Sequence, residues 1–525
     1  MNRTTLSLIA GTTALAAVTG FAALTAPDTS SGDTPTESAA QLPVARTSLL
    51  CPQPSASDVA ETAYTSFTAV TKGTASDGSA ELTAAGAEST EPSESPNPSE
   101  SADSSDTNED KGEDKGEDKA AEETEKTGKP VFEVKEAGRP ATGSADGGDA
   151  PALLGTAQGK FAPGWTVQET TEVTAGTGRG LLGVNCTAPD TEFWFPGAST
   201  AADRTDYVHL TNPDDSAAVV DIELYGKDGA LESTVGEGIT VQPRSSEPVL
   251  LSTLATEKET GLTVHVSVRS GRVAAAVQAL DKKLGGDWLA AATDPAGSLV
   301  LPGIPKDATS VQLVAFTPGE TDADLKLRLA SPTGPITPAG NETLHVKAGM
   351  TATADLGDVT RGEAGSLLLT PTDESIPIVA ALRVVRGKGD NQETAFIPAT
   401  RPVGTRATAA DNRAKGTTLS LTAPTSTAKV KVTASAGSTA GEPVTKTFTI
   451  KAGTTQNVEM PAPTALKGIY ALTIEPISGG PVYASRTLEA KQGTLPAFTI
   501  QTLPDDRGTV AVPEADQNLS VLQAQ

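Results

Sequence analysis

The sequence predicts an all-β protein: tandem Ig-like antiparallel β-sandwich domains, about four, the first split by an acidic insert, behind an N-terminal apolar helix. Three observations carry that expectation. Composition favours short strands and turns, since aromatics are only 3% while Gly (50) and Pro (37) are plentiful. Apolar and polar residues alternate along short runs. Val208 and Leu210, then Val220, Ile222 and Leu224, alternate with polar neighbours; "NPDD" turns between them and Asp228-Gly229 marks the next tight turn. Finally, the chain repeats itself.

The repeat is visible in three trios of blocks. "ITVQPRSSEPVLLSTL", "LHVKAGMTATADLGDV" and "FTIKAGTTQNVEMPAP" form one, starting at Ile239, Leu344 and Phe448. A second follows each at matching distance: "TGLTVHVSVRSGRVAAAVQAL", "AGSLLLTPTDESIPIVAALRV" and "GIYALTIEPISGGPVYASRTL". The third precedes both: "DYVHLTNPDDSAAVVDIELYG", "SVQLVAFTPGETDADLKLRLA" and "TTLSLTAPTSTAKVKVTASAG". The offset is roughly 104 residues, long enough for each unit to bury its own core, so the units read as beads and not as a superhelix. The units span 191–295, 296–404 and 405–514, with 515–525 as a tail. Helix signal is thin, and "LLSTLATEKE" is the one short candidate.

Upstream, residues 1–27 open with Arg3 and an apolar stretch from Leu6 to Ala26. About 20 such residues span a bilayer as one helix, and a signal peptide begins the same way. Pro27 after Leu24-Thr25-Ala26 disfavours cleavage, so a retained anchor and a cleaved signal both stand. Either one exports residues 28 onward, placing the protein outside the cytoplasm, single-pass anchored or secreted. Residues 28–47 read as a linker.

Residues 48–190 read as a further copy of the unit, since "LLGVNCTAPDTEFWFPG" matches "WLAAATDPAGSLVLPG" one period later. The copy is too long because residues 75–128 hold 17 acidic and 4 basic side chains with almost no apolar ones. Such a segment cannot bury enough surface to offset chain entropy and is expected to be disordered, as a solvated linker. Cys51 and Cys186 flank it and are the only two cysteines. Export permits oxidation and two cysteines allow one pairing, so a disulfide is expected between first and last strands, at the base of the insert. The chain-entropy model assigns such a bridge roughly 5 kcal/mol at most.

Chemistry is scarce. The net charge of −26 excludes a nucleic-acid partner, which needs a basic surface. His209, His265 and His345 each sit in a strand pattern, and no zinc spacing, nucleophile elbow or phosphate loop appears. No catalytic residue, metal ligand or cofactor is therefore assigned. Asp214-Asp215 and Glu320, Asp322 and Asp324 fall in hairpin turns, where acidic residues serve the turn before they serve calcium. The aromatic run Phe193, Trp194 and Phe195, with Trp165, is the candidate interaction surface; the competing reading is an apolar junction between the split first domain and the unit that follows it.

The Thr/Ala-rich opening, "SLLCPQPS", "GLLGVNCTAPDTEFWFPG" and "YVHLTNP" with "LYGKDG" together resemble a family of exported actinobacterial proteins catalogued only as a domain of unknown function. The resemblance runs from Leu49 over nearly the whole chain. It implies an envelope location and brings no activity, cofactor or site residues. The sequence thus points to a non-enzymatic envelope protein, a multi-domain scaffold or interaction module for other envelope proteins. The alternatives are a glycan-binding accessory of envelope polysaccharide assembly and, more remotely, a glycoside hydrolase.

Overall fold

The second repeat displays the folding plan most plainly. Its seven principal strands are Glu192–Ser199, Arg204–Thr211, Ala218–Gly226, Ser246–Leu250, Thr260–Ser270, Ala274–Asp281 and Gly285–Leu289, and two short ones, Gly229–Ala230 and Ile239–Val241, pair with the third. They form two antiparallel sheets, ordered first–fifth–third and fourth–second–sixth–seventh. The computed structural model describes residues 40–86 and 130–512, apart from 234, 461, 493 and 494. The expected N-terminal helix, most of the acidic insert and the 515–525 tail lie outside the described residues. Ala40–Pro43 and Thr509–Val512 pair as a two-stranded ribbon.

The same two sheets recur in each repeat. The first sandwich pairs Arg46–Cys51, Leu153–Gln158 and Ala80–Ala84 in one sheet. Its other sheet runs Ala141–Asp146, Ala60–Phe67, Thr166–Val173 and Gly180–Asn185. In the third sandwich the first and seventh strands are Leu299–Ile304 and Asn391–Pro398; in the fourth they are Ala407–Asn412 and Leu495–Thr502. Alternation makes each strand two-faced. In Ala323–Ser331 the side chains of Ala323, Leu325, Leu327 and Leu329 are buried, while Asp324, Lys326 and Arg328 face outward. Among the described residues helix is limited to two single 3-10 turns, Gly159–Phe161 and Leu251–Thr253, the latter inside the one candidate helix.

Three expectations need correction. The strand order is not that of an immunoglobulin constant domain, whose sheets are ABED and CFG. Here the first strand pairs with the fifth, and the second with the fourth and sixth. Alternation tells a strand which face to bury and leaves its neighbour open. Second, Ala80–Ala84, inside the stretch expected to be disordered, is a strand with Leu82 fully buried. Val131 and Val134 donate backbone bonds back to Leu82 and Ala80, so the chain leaves and re-enters at the outer edge of this sheet. The disulfide joins the end of the first strand to the residue just past the seventh, which is the expected pairing of first and last strands, whereas the insert leaves from the third strand.

Third, the sandwiches are not beads. Residues 43–510 form one compact unit. Each seventh strand reaches into a neighbouring domain. Trp288 of the second sandwich packs with Ala60, Val173, Leu182 and Val184 of the first. Phe396 and Ala381 of the third join the core of the second, and Phe498 and Ile500 of the fourth join the core of the third. The series closes on itself. Leu181 of the first sandwich packs on Leu488 and Ala497 of the fourth, and Phe67 and Ala69 pack on Ala410 and Ala471. Four copies joined head to tail therefore make a closed ring within one chain, as heterologous contacts do when the rotation closes.

Candidate functional site

The four seventh strands converge where the sandwiches meet, and they bring buried polar groups with them. Asp287 of the second accepts bonds from the Gly183 N–H of the first (3.0 Å) and the Thr499 hydroxyl of the fourth (3.1 Å). Glu393 of the third accepts from the Phe498 N–H of the fourth at 3.1 Å. Close approach is a condition of this contact. A Cβ on Gly183 would lie 2.6 Å from the Thr499 methyl, and one on Gly285, at φ +76°, would lie 2.3 Å from the Arg179 carbonyl. Burial holds the Asp287 carboxyl well above its ordinary range, outweighing its hydrogen bonds, with Glu393 adding to the rise. Burial also pushes Glu393 up to about 7, against the Phe498 N–H and the charges of Arg179 and Arg386.

The junction of fourth and first sandwiches holds the densest polar network. The Gln168 side-chain carbonyl accepts from the Ala410 and Asp411 N–H groups at 2.8 and 2.9 Å and from Arg486 at 3.2 Å. Its amide donates to Asn185 at 2.7 Å, and Asn185 donates to the Thr502 carbonyl at 3.1 Å. Arg486 is fully buried; it also donates to the Asp411 carbonyl at 2.6 Å and to Gln501. Burial pulls its pKa down to about 10. Thr170 donates to the Asp411 carboxylate at 2.9 Å, and Arg413 pairs with Glu172 at 3.1 Å.

The aromatic residues do not form an exposed surface. Trp165 is 3% exposed, Trp194 6% and Trp288 2%, with Phe193 and Phe195 also buried. Trp165 fills the core of the first sandwich and donates to the Ser66 hydroxyl at 2.8 Å. Phe193 and Phe195 line the second core. Trp194, on the opposite face of the same strand, packs on Phe316 and Val379 of the third sandwich and stacks on His265 with ring centroids 3.8 Å apart. The apolar-junction reading thus describes Trp194, though the junction joins second to third sandwich and not first to second.

Cys51 and Cys186 form a disulfide. Its place in the repeat explains it. In each of the first three sandwiches a residue just past the seventh strand donates back to the first strand: Thr187 to Leu50, Ala292 to Trp194, Thr400 to Val300. The neighbouring positions, toward the core, hold Phe195 and Ala291 in the second sandwich and Leu301 and Ala399 in the third. In the first they hold the two cysteines. The bridge takes the place of an apolar pair at the inner edge.

Two of the strand histidines and the acidic hairpin turn are held within their own sandwiches. His265 contacts Glu223 at 2.9 Å and Glu192 at 3.4 Å; His345 contacts Asp324 at 2.9 Å and Asp322 at 3.3 Å. Asp214 pairs with Arg272 at 2.9 Å, and Asn212 ties its turn to the Ser216, Val241 and Gln242 carbonyls. Among the described residues no three His, Cys, Asp or Glu side chains are grouped to hold a metal ion. Among them, too, no helix is long and apolar enough to cross a membrane.

A model of a family of unknown function, DUF5719, matches residues 141–461. The chain belongs to this family. The match begins at the fourth strand of the first sandwich and ends just beyond the fourth strand of the fourth, so it includes Cys186 and leaves out Cys51. The DUF5719 match is thus shorter than the resemblance from Leu49 implied. No curated protein and no solved structure matches the chain.

Sequence reading passed over the polar residues that join the DUF5719 sandwiches. One signal was available. Gln278 and Arg383 hold the same position on the sixth strand, opposite Trp288 and Phe396 of the seventh, while Gln168 stands two residues earlier on its own; each reaches the sandwich before it in the ring. Gln168 reaches the fourth, Gln278 donates to the Pro54 carbonyl of the first at 2.7 Å, and Arg383 pairs with Asp281 of the second at 2.6 Å. A long polar side chain recurring in an apolar strand marks a contact outside its own domain. Asp287 and Glu393 have no such recurrence, and only the folded ring brings them together.

Proposed function

We propose that this protein is a non-enzymatic, extracytoplasmic envelope component: a rigid ring of β-sandwiches that scaffolds or binds other envelope proteins. The observation that carries this reading is the use of the buried polar side chains. Asp287, Glu393, Gln168, Arg486 and Gln501 are engaged between sandwiches, so they serve assembly of the ring and not a substrate cleft. A single-chain ring with buried junctions presents a fixed outer surface at low entropic cost, which suits a docking platform. The Cys51–Cys186 disulfide favours an oxidising compartment, and with it the export that the N-terminal apolar stretch predicts. The glycan-accessory reading loses its best support, because a sugar platform needs exposed aromatic faces and all three tryptophans are buried.

In-cell crosslinking of the tagged full-length chain, followed by identification of crosslinked partners, tests the proposal. Recovery of the same envelope proteins from independent crosslinkers is the expected result. Recovery of none, alongside hydrolysis or binding of a purified envelope polysaccharide, would replace the scaffold reading with one of the alternatives.

A further inference from the structure

The joint between first and second sandwiches contains a cavity of about 20 Å³. One wall is built by Leu50 and Pro52 with Asn185 and Thr187, the residues on either side of the two disulfide cysteines. The opposite wall comes from the second sandwich, where His209 and Thr211 of the second strand face it beside small alanines of the sixth. His209 is 5% exposed, and neither of its ring nitrogens finds a partner among the protein's own groups. Its ring lies edge-on to Trp288 at 5.2 Å, which fixes the imidazole against the joint.

An imidazole keeps one donor and one acceptor even when neutral, and each buried group left unmatched costs about 1–3 kcal/mol. A volume above about 10–15 Å³ with two or more polar neighbours is what an internal water requires. His209 supplies both hydrogen-bonding senses, and Asn185, Thr187 and Thr211 are the other polar residues that line the cavity. Other occupants fit less well. One imidazole without carboxylate or thiolate does not hold a metal, which takes about four ligands. An ion would be desolvated against Leu50, Pro52 and the alanines, and an organic ligand exceeds the volume.

We propose that this cavity is a built-in hydration site, in which one ordered water bound to His209 joins the first sandwich to the second. The water completes the hydrogen bonding of the imidazole and couples the wall beside the disulfide to the second domain. His209 keeps a neutral ring, because burial pulls its pKa down to about 4 and no carboxylate faces it across the cavity.

The test uses the full-length disulfide-bonded protein. Water-oxygen relaxation dispersion counts slowly exchanging waters in the wild type, in His209→Phe and in His209→Gln. The expected result is one fewer long-lived water in His209→Phe and no loss in His209→Gln, whose amide also offers a donor and an acceptor. A high-resolution crystal structure of the wild type should place that water within hydrogen-bond distance of a His209 nitrogen. Equal counts in wild type and His209→Phe overturn the proposal, as does a wild-type crystal structure with a dry cavity. Should His209→Phe fail to fold, the wild-type crystal structure and the His209→Gln count still decide it.

Discussion

The second–third junction and the fourth–first junction do the same job by different chemistry. The second and third sandwiches are consecutive in the chain and meet mainly through apolar groups, Trp194 against Phe316 and Val379 and Phe396 set into the second core, with the Arg383–Asp281 pair and the Thr351 bond to the Tyr225 carbonyl beside them. The fourth and first sandwiches lie at opposite ends of the repeat and meet through Gln168, Arg486, Gln501, Asp411, Asn185 and Thr170 besides their apolar contacts. The difference follows from what each junction must specify. A covalent linker supplies both proximity and order, so non-directional burial suffices. The closing junction has no linker and must select one register among several similar sandwich faces. Directional hydrogen bonds do that, since a shifted register leaves more buried polar groups unpaired.

The largest effect is expected at the closing junction. Arg486→Ala leaves Gln501 and the Asp411 carbonyl buried with a lost partner, and should cost about 3–5 kcal/mol in denaturant unfolding. Hydrogen exchange should rise in both 166–173 and 407–412 while 192–199 stays protected. Uniform loss of protection around the ring would mean that the closing junction has no separate identity. Next comes removal of the disulfide. Cys51→Ala with Cys186→Ala should cost about 2–4 kcal/mol, and Cys51→Leu with Cys186→Ala, copying Leu301 and Ala399, should recover part of the loss. No difference between the two double variants would show that the position does not accept the apolar pair of its neighbours.

The convergence of seventh strands makes a pH-dependent prediction of similar size. Glu393 is raised from 4.5 to about 7 in the fold. A raised carboxyl contributes fully below its unfolded value and loses that contribution as pH climbs from 4.5 to about 7. The wild type should therefore lose about 3 kcal/mol over that window, and Glu393→Gln should lose correspondingly less. His209 acts in the opposite sense. Its depressed pKa means that its contribution is intact above 6.5 and is lost as pH falls toward 4. Urea unfolding at closely spaced pH values checks both, and identical profiles for wild type and Glu393→Gln would remove Glu393 from the account. The smallest effect belongs to the exposed His345, whose replacement by Ala should change stability by less than about 1 kcal/mol, because its contacts with Asp322 and Asp324 are solvent-screened.

Much of this architecture was legible in the residues. Val208, Leu210, Val220, Ile222 and Leu224 are all buried as their alternation predicts, although His209 and Asp221 between them are buried as well, and turns such as Asn212 to Asp215 lie where Asn, Pro and Asp place them. Trp194 is the instructive failure. Its neighbours Phe193 and Phe195 face the core of their own sandwich, so Trp194 faces outward, and the sequence offered both an interaction surface and a junction with the first sandwich for what covers it. The face it meets is supplied by Phe316 and Val379, more than a hundred residues later, and nothing local to Trp194 announces them.

What the sequence by itself determined is local and periodic. Two-residue alternation, turn chemistry and a repeat of fixed length specify six or seven short strands per unit, each with one face to bury, and two cysteines in an otherwise sulfur-poor chain specify one bridge. What only the tertiary structure decided is non-local. The pairing of first strand with fifth, the seventh strand's entry into the neighbouring core, and the return of the fourth sandwich to the first all depend on faces brought together across the chain. A hydrophobic face records that it must be covered, because the free energy scales with area removed from water; it does not record by what.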